Sequence, residues 1–204
     1  MTARLLTLLA LLLSLSAPAH AGDSVPDRYQ ESYALETAYS YERALARLEG
    51  IPATGSDAYL LPLRQGWLLY LLGRYDESIA AYRQAMKASP DAVEARLGLT
   101  LPLMAQRDWA GAEAECRAAL KVVPGNYLAQ SRLAYVLYNA GRFAEAEQAY
   151  AALVALYPSD VDMRSGLAWA QLRQGKRAEA KANLEYVLHL APDHSSAQEG
   201  LAAL

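Results

Sequence analysis

Small and large apolar side chains return along this chain in a fixed register. Small groups recur at Ser78, Ala112, Ala146 and Ala180, and larger ones follow four residues later at Tyr82, Cys116, Tyr150 and Leu184. Twelve residues before each small group stands another small one: Gly66, Thr100, Ala134 and Ala168. The prolines Pro90, Pro124, Pro158 and Pro192 keep the same spacing, 34 residues each time. A fixed period of this length marks a repeat architecture. It divides the chain without gaps into blocks 59–92, 93–126, 127–160 and 161–194.

Each block predicts two helices. Gly73, Arg107, Gly141 and Gly175 stand at block position 15, where glycine ends the first helix with a positive φ. Tyr75, Trp109, Phe143 and Arg177 open the second helix. The small residues let the two backbones approach, and the larger groups fill the space beyond. Each proline stops the second helix, because it lacks an N–H and restricts the residue before it. Asp91, Asn126, Asp160 and Asp193 follow as caps for the next helix. Pro102 lies inside a first helix, which predicts a kink or a shortened helix there.

The register extends past the four blocks. Residues 25–58 read as a degenerate repeat, with Ala44 and Leu48 at the small and large positions, and Ile51–Asp57 as a loop replacing the end of its second helix. Ser196-Ala197-Gln198-Glu199 reads as a capping box for a last helix over 195–203, so that 195–204 caps the stack. At the other end, Arg4 precedes an apolar run over 5–15, and Ala19 and Ala21 supply small residues ahead of Gly22. The run is shorter than the roughly 20 residues needed to span a bilayer. Residues 1–21 are therefore expected to be a cleaved signal peptide, with 22–204 forming one solenoid domain and no stable membrane span. An exported protein follows, periplasmic in the first place and extracellular as the other option.

Composition narrows the function. Apolar residues make up 53% and charged residues 20%, as in ordinary globular chains. A net charge of −3 offers no footprint for nucleic acid. One cysteine excludes a disulfide framework and any multi-thiolate zinc site. There is no glycine-rich phosphate loop. Asp76-Glu77 and Glu113/Glu115 read as solvated outer faces rather than acid–base pairs, and Cys116 as a buried core thiol. His189 and His194, with Asp193, are the one candidate metal or catalytic cluster; their plain reading is two helix-terminal residues. No catalytic residue, metal or cofactor is assigned.

The stretch from Gly73 through Asp76, Tyr82 and Met86 to Pro90 resembles the second-helix pattern of tetratricopeptide repeats, and Gly141 to Pro158 matches nearly as well. The large aromatic usual near the start of the first helix is replaced by Pro62, Arg96, Gln130 and Arg164. The resemblance covers 59–194 and implies an all-α, right-handed superhelix whose first helices line a concave face. It places the family's ligand-facing positions on Tyr33, Trp67, Leu101, Tyr135 and Trp169, and three residues further along on Glu36, Tyr70, Met104, Tyr138 and Leu172. Leu60, Leu63, Leu71 and Leu97 add apolar area towards the N-terminal half, while Ser131, Asn139, Asp162, Ser165 and Arg173 make the C-terminal half more polar. The resemblance implies a non-catalytic adaptor or assembly factor of the bacterial envelope, with a protein or peptide in the groove. The expected binding residues are Tyr33, Leu63, Trp67, Tyr70, Leu101, Met104, Tyr135, Tyr138 and Trp169. Three alternatives stay open: the aromatics pack between helices, the N-terminal segment fills the groove, or a homo-oligomer buries it.

Overall fold

The computed structural model describes residues 24–204. The described residues form eleven α-helices and no strand. The signal-peptide reading of 1–21 lies outside them. The helices are α1 (Val25–Thr37), α2 (Tyr41–Ala46), α3 (Asp57–Leu71), α4 (Tyr75–Ala88), α5 (Val93–Ala105), α6 (Trp109–Val122), α7 (Tyr127–Asn139), α8 (Phe143–Leu156), α9 (Val161–Leu172), α10 (Arg177–Leu190) and α11 (Ser195–Ala202). None is long and apolar enough to cross a membrane.

The second helices α4, α6, α8 and α10 each have 14 residues and end two residues before their proline. Between first and second helix the chain turns through a left-handed residue: Tyr39 (φ 56°), Gly73 (72°), Arg107 (60°), Gly141 (79°) and Gly175 (77°). The five stand at one repeat position, so the degenerate repeat turns like the others although it carries tyrosine there. Its second helix, α2, has only 6 residues, and Ile51 from the following loop drops into the core instead.

Helix caps follow the register with two departures. Asn126 and Asp160 accept from Ala129 N and Met163 N, as expected. At the equivalent points Ala92 and His194 are the caps, not Asp91 and Asp193. Ala92 has no side chain to offer, and the His194 Nδ1 accepts from Ala197 N. The last helix thus starts on His194, and the Ser196–Glu199 capping box does not form. Nor is α5 shortened by Pro102: it has 13 residues, like α7. Pro102 is fully buried, and its carbonyl still accepts from Gln106 N, so packing carries the helix through.

Each helix packs on its chain neighbours, and successive first helices also touch one another: α3 on α5, α5 on α7, α7 on α9 and α9 on α11. Successive second helices make no comparable contact, so the stack curves with the first helices inside. The core runs as a chain of clusters through the stack rather than as one centre. The last cluster, around Leu184 and Val187, is covered by Ala197 and Leu201 of α11.

Candidate functional site

The space between adjacent repeats is filled in two ways. Where Tyr82 leaves α4, its ring lies over Gly98 of α5, and a Cβ built on Gly98 would stand 2.2 Å from the ring. Tyr150 of α8 covers Gly166 of α9 in the same manner, with a corresponding distance of 2.5 Å. The absent side chain is what admits the ring. At the intervening junction the large position holds Cys116, which is fully buried, and the glycine position holds Arg132. The Arg132 guanidinium donates to Thr100 Oγ1 at 3.0 Å and to the Leu97 carbonyl. Burial pushes the Cys116 thiol up to about 11 and lowers the Arg132 pKa. Arg64, at the same repeat position, is 5% exposed, donates to the Ser32 carbonyl at 2.9 Å and pairs with Glu36.

Three cavities open on the inner face. The N-terminal one, about 560 Å³, lies among Tyr29, Tyr33, Leu60, Leu63, Arg64 and Trp67. Arg64 sits 3.9 Å above the Tyr33 ring, and Trp67 Nε1 donates to Glu36 Oε1 at 2.6 Å. The middle one, about 460 Å³, has Tyr82 and Gly98 in its wall with Leu63, Trp67, Leu101 and Arg132. The C-terminal one, about 480 Å³, has Tyr150 and Gly166 with Tyr135, Tyr138, Trp169 and His194. There Trp169 Nε1 donates to Ser196 Oγ at 2.9 Å, Ser165 and Ser196 hydroxyls lie 3.0 Å apart, and His194 Nε2 lies 3.1 Å from Asp162 Oδ1.

The nine expected binding residues divide accordingly. Tyr33, Leu63 and Trp67 line the N-terminal cavity, Leu63, Trp67 and Leu101 the middle one, and Tyr135, Tyr138 and Trp169 the C-terminal one. Tyr33 and Tyr135 are about half exposed, at 55% and 49%. Tyr70 and Met104 line none of the three. Tyr70 lies between Trp67 and Tyr75 in tilted ring contacts at centroid distances of 5.8 and 6.0 Å, and Met104 packs on the cluster around Leu103. Sequence reasoning passed over Gly98 and Gly166 as pocket walls, along with Ser196 and His194. The alternation of glycine with arginine at one repeat position was the available signal.

The acidic residues of the outer helices are not simply solvated. Glu113 pairs with Arg117 and with Arg142 of the next repeat, and Glu115 with Arg96. Burial opposes ionisation of Glu113, but hydrogen bonds from the two guanidinium groups outweigh it and hold the carboxyl below the usual range. Among the described residues, no three His, Cys, Asp or Glu side chains converge on a common point. His194 is engaged through both ring nitrogens, and His189 is exposed at the end of α10.

Three family models, each described as a tetratricopeptide repeat, match residues 63–92, 103–170 and 165–204. No curated protein matches the chain. Among solved structures the chain resembles MamA from Desulfovibrio magneticus RS-1 (TM-score 0.76, 18% identity, covering 85% of this chain and 98% of that one). It also resembles YrrB, described as a TPR protein with an unusual peptide-binding site (TM-score 0.72, 20% identity, 88% and 92% covered). TTC0263, a thermophilic TPR protein of Thermus thermophilus, is a third (TM-score 0.65, 17% identity, 87% and 97% covered). At these identities the likeness is one of fold. The chain carries tetratricopeptide repeats, and its fold is that of a TPR solenoid.

Proposed function

We propose that this protein is a non-catalytic adaptor that holds an extended polypeptide along its inner face, acting after export directed by residues 1–21. One observation carries the reading: three cavities of 460–560 Å³ follow one another along the row of first helices, each with at least one aromatic in its wall that is exposed or only partly buried, Trp67 in the first two and Tyr135 in the third. Concave, mostly apolar sites with a few convergent polar groups are the usual form of a binding site. Aromatic anchors in such sites supply much of the affinity. The peptide-binding description of YrrB, a structural neighbour over nearly the whole chain, supports the same class of partner.

The test is a double variant, Trp67→Ala with Tyr135→Ala. It is expected to lose capture of the natural partner while keeping its helix content and oligomeric state. Substitution of Glu77 and Arg83, both exposed on α4, is expected to change neither. A folded double variant that captures the partner as before overturns the reading. One that becomes monomeric from a wild-type oligomer assigns the groove to self-association. N-terminal sequencing of exported material is expected to begin at Gly22.

A further inference from the structure

The middle and C-terminal cavities are one pocket built twice. Most wall residues of the first have a counterpart two repeats later in the second: Trp67 and Tyr135, Tyr82 and Tyr150, Gly98 and Gly166 among them. The junction between them cannot form the same pocket, because Arg132 stands where glycine opens the other two and Cys116 where tyrosine closes them. A ligand running from the middle cavity to the C-terminal one, leaving the differently built N-terminal cavity aside, therefore meets two related recesses separated by a filled step.

The rims share a charge. Glu94 and Asp162 are counterparts in the two pockets, and both are exposed, Asp162 to 79%. The cation in the middle pocket, Arg132, is turned onto the Leu97 carbonyl and Thr100. Each recess thus offers a mostly apolar wall beneath an exposed carboxylate; Asp162 also meets His194 Nε2 at 3.1 Å and Glu94 accepts from the Tyr59 hydroxyl at 3.4 Å, each through one oxygen, and the chain as a whole is acidic, at −3. The complement is a bulky apolar side chain with a cation beside it.

Resting on the groove reading above, we propose that one extended polypeptide is held at two points. Each pocket takes one bulky apolar side chain flanked by Lys or Arg, the two anchors lying about five or six residues apart. The spacing follows from packing: contacting helices lie about 8–10 Å apart, two steps give roughly 16–20 Å, and an extended chain advances about 3.3 Å per residue. The two pockets also differ in a way that orients the chain. Leu63, Leu97 and Leu128 wall the middle pocket where Ser131, Ser165 and Ser196 stand in the C-terminal one. The more apolar anchor belongs to the middle pocket.

Synthetic peptides test this directly. The series has two Phe-Lys pairs joined by Gly-Ser spacers that set the phenylalanines three to nine residues apart, with a single Phe-Lys peptide as control. The readouts are the indole N–H signal of Trp169, in the C-terminal pocket and bonded to Ser196, and that of Trp67, between the middle and N-terminal cavities and bonded to Glu36, with the ring signals of Tyr33 as the control for occupation of the N-terminal cavity alone. Peptides with the five- or six-residue spacing are expected to bind at least about tenfold more tightly than the control, since linkage makes the second contact intramolecular. Both indole signals are expected to move with one midpoint. Glu94→Gln with Asp162→Asn is expected to weaken binding by roughly two- to tenfold and to flatten its salt dependence. Binding that does not vary with spacing, or that moves a single indole, overturns two-point gripping while leaving the groove reading intact. Indole shifts on raising protein concentration without peptide assign the pockets to a second copy and overturn it. If no peptide moves either indole, the proposal fails, and the groove reading then rests on partner capture by the Trp67→Ala, Tyr135→Ala variant.

Discussion

The junction between α4 and α5 and the junction between α6 and α7 obey the same repeat geometry yet are filled by opposite means. At the first, the Tyr82 ring enters from the second helix and meets Gly98, which contributes nothing. At the second, Cys116 contributes little and Arg132 reaches across from the other side, settling on Leu97 and Thr100. A hydroxyl follows the arginine arrangement: Ser32 beneath Arg64 and Thr100 beneath Arg132, against Gly66 and Ala134 at the tyrosine junctions. The volume to be filled is set by the register. Which residue fills it is free, provided that its partner yields. The consequence is functional, because the tyrosine–glycine junctions form one recurring kind of recess, whereas the cavity at the Arg64 junction is walled differently, by Tyr29, Tyr33, Leu60 and Arg64 itself.

The two arrangements separate most under truncation of the large partner. Tyr150 is 5% exposed and sits in the cluster with Leu137, Leu153 and Leu167. Tyr150→Ala opens a ring-sized void that Gly166 does nothing to fill, and is expected to cost about 3–5 kcal/mol. Cys116→Ala at the equivalent point removes one small atom and is expected to cost about 1 kcal/mol. Denaturant unfolding of the two variants checks the difference. Similar losses from both would show that the arginine junction is as dependent on its second-helix residue as the tyrosine junction.

How much of this was legible in the sequence depends on the distance over which residues act. The period, the two-helix blocks and the left-handed turn at Arg107 and the glycines are local properties of a few neighbouring residues, and the sequence pattern carries them. The pairing of Tyr82 with Gly98 crosses from one repeat to the next, and no single-helix periodicity encodes it. The same limit explains the row of residues on the inner helices. Three-residue spacing placed Trp67 and Tyr70 on one face, but Tyr70 packs against the Tyr75 ring of the next helix, outside the cavities that Trp67 lines, a contact between helices that the spacing does not encode. Ala92 and His194 as caps were missed for a smaller reason: an acidic residue one position earlier satisfies the pattern equally well on paper.

The arginine junctions themselves differ in how far they depend on charge. Arg64 is buried and pairs with Glu36, a half-buried carboxylate that also receives Trp67. Removing Arg64 leaves the buried Ser32 carbonyl without this donor and a half-buried carboxylate without its counter-charge, at a cost of about 2–3 kcal/mol. Arg64→Ala is expected to lose about that much and to loosen α1 and α2, visible as faster amide exchange there. Arg132 answers to a carbonyl and a hydroxyl, and Leu97 O keeps the Thr100 hydroxyl as donor at 2.7 Å when the guanidinium is gone. Arg132→Met is therefore expected to change stability by less than about 1 kcal/mol. A loss from Arg132→Met equal to that from Arg64→Ala would show that guanidinium bonding matters at both junctions whatever the partner.

At the C-terminal junction the large position is Leu184, lying over Gly200 of α11, and the cap is the His194 imidazole. His194→Ala removes the side-chain acceptor for Ala197 N, which keeps the His194 carbonyl at 3.1 Å, and the contact to Asp162, and is expected to cost about 1 kcal/mol, confined to α11 in amide exchange. Deleting 195–204 is the stronger form of the same experiment. It uncovers Leu184 and Val187, and should cost a few kcal/mol with unfolding spreading inward from α10. An unchanged melting curve after deletion would show that α10 ends the stack unaided.

The smallest effect expected lies outside the junctions, at the turn that all repeats share. Arg107 adopts φ 60° where the next two repeats use glycine at 79° and 77°. A side chain in the left-handed region costs roughly 1–2 kcal/mol against the right-handed one, a penalty glycine escapes. Glycine loses more conformational entropy on folding, which offsets part of that gain. Arg107 is exposed, so no buried contact is lost on replacement. Arg107→Gly is expected to stabilise the protein by up to about 1 kcal/mol, and Gly141→Ala to destabilise it by a similar amount, each read from the midpoint of unfolding. The pair should move in opposite directions with cavities and groove untouched. A destabilised Arg107→Gly would mean that the arginine holds this turn by contacts that outweigh its backbone strain.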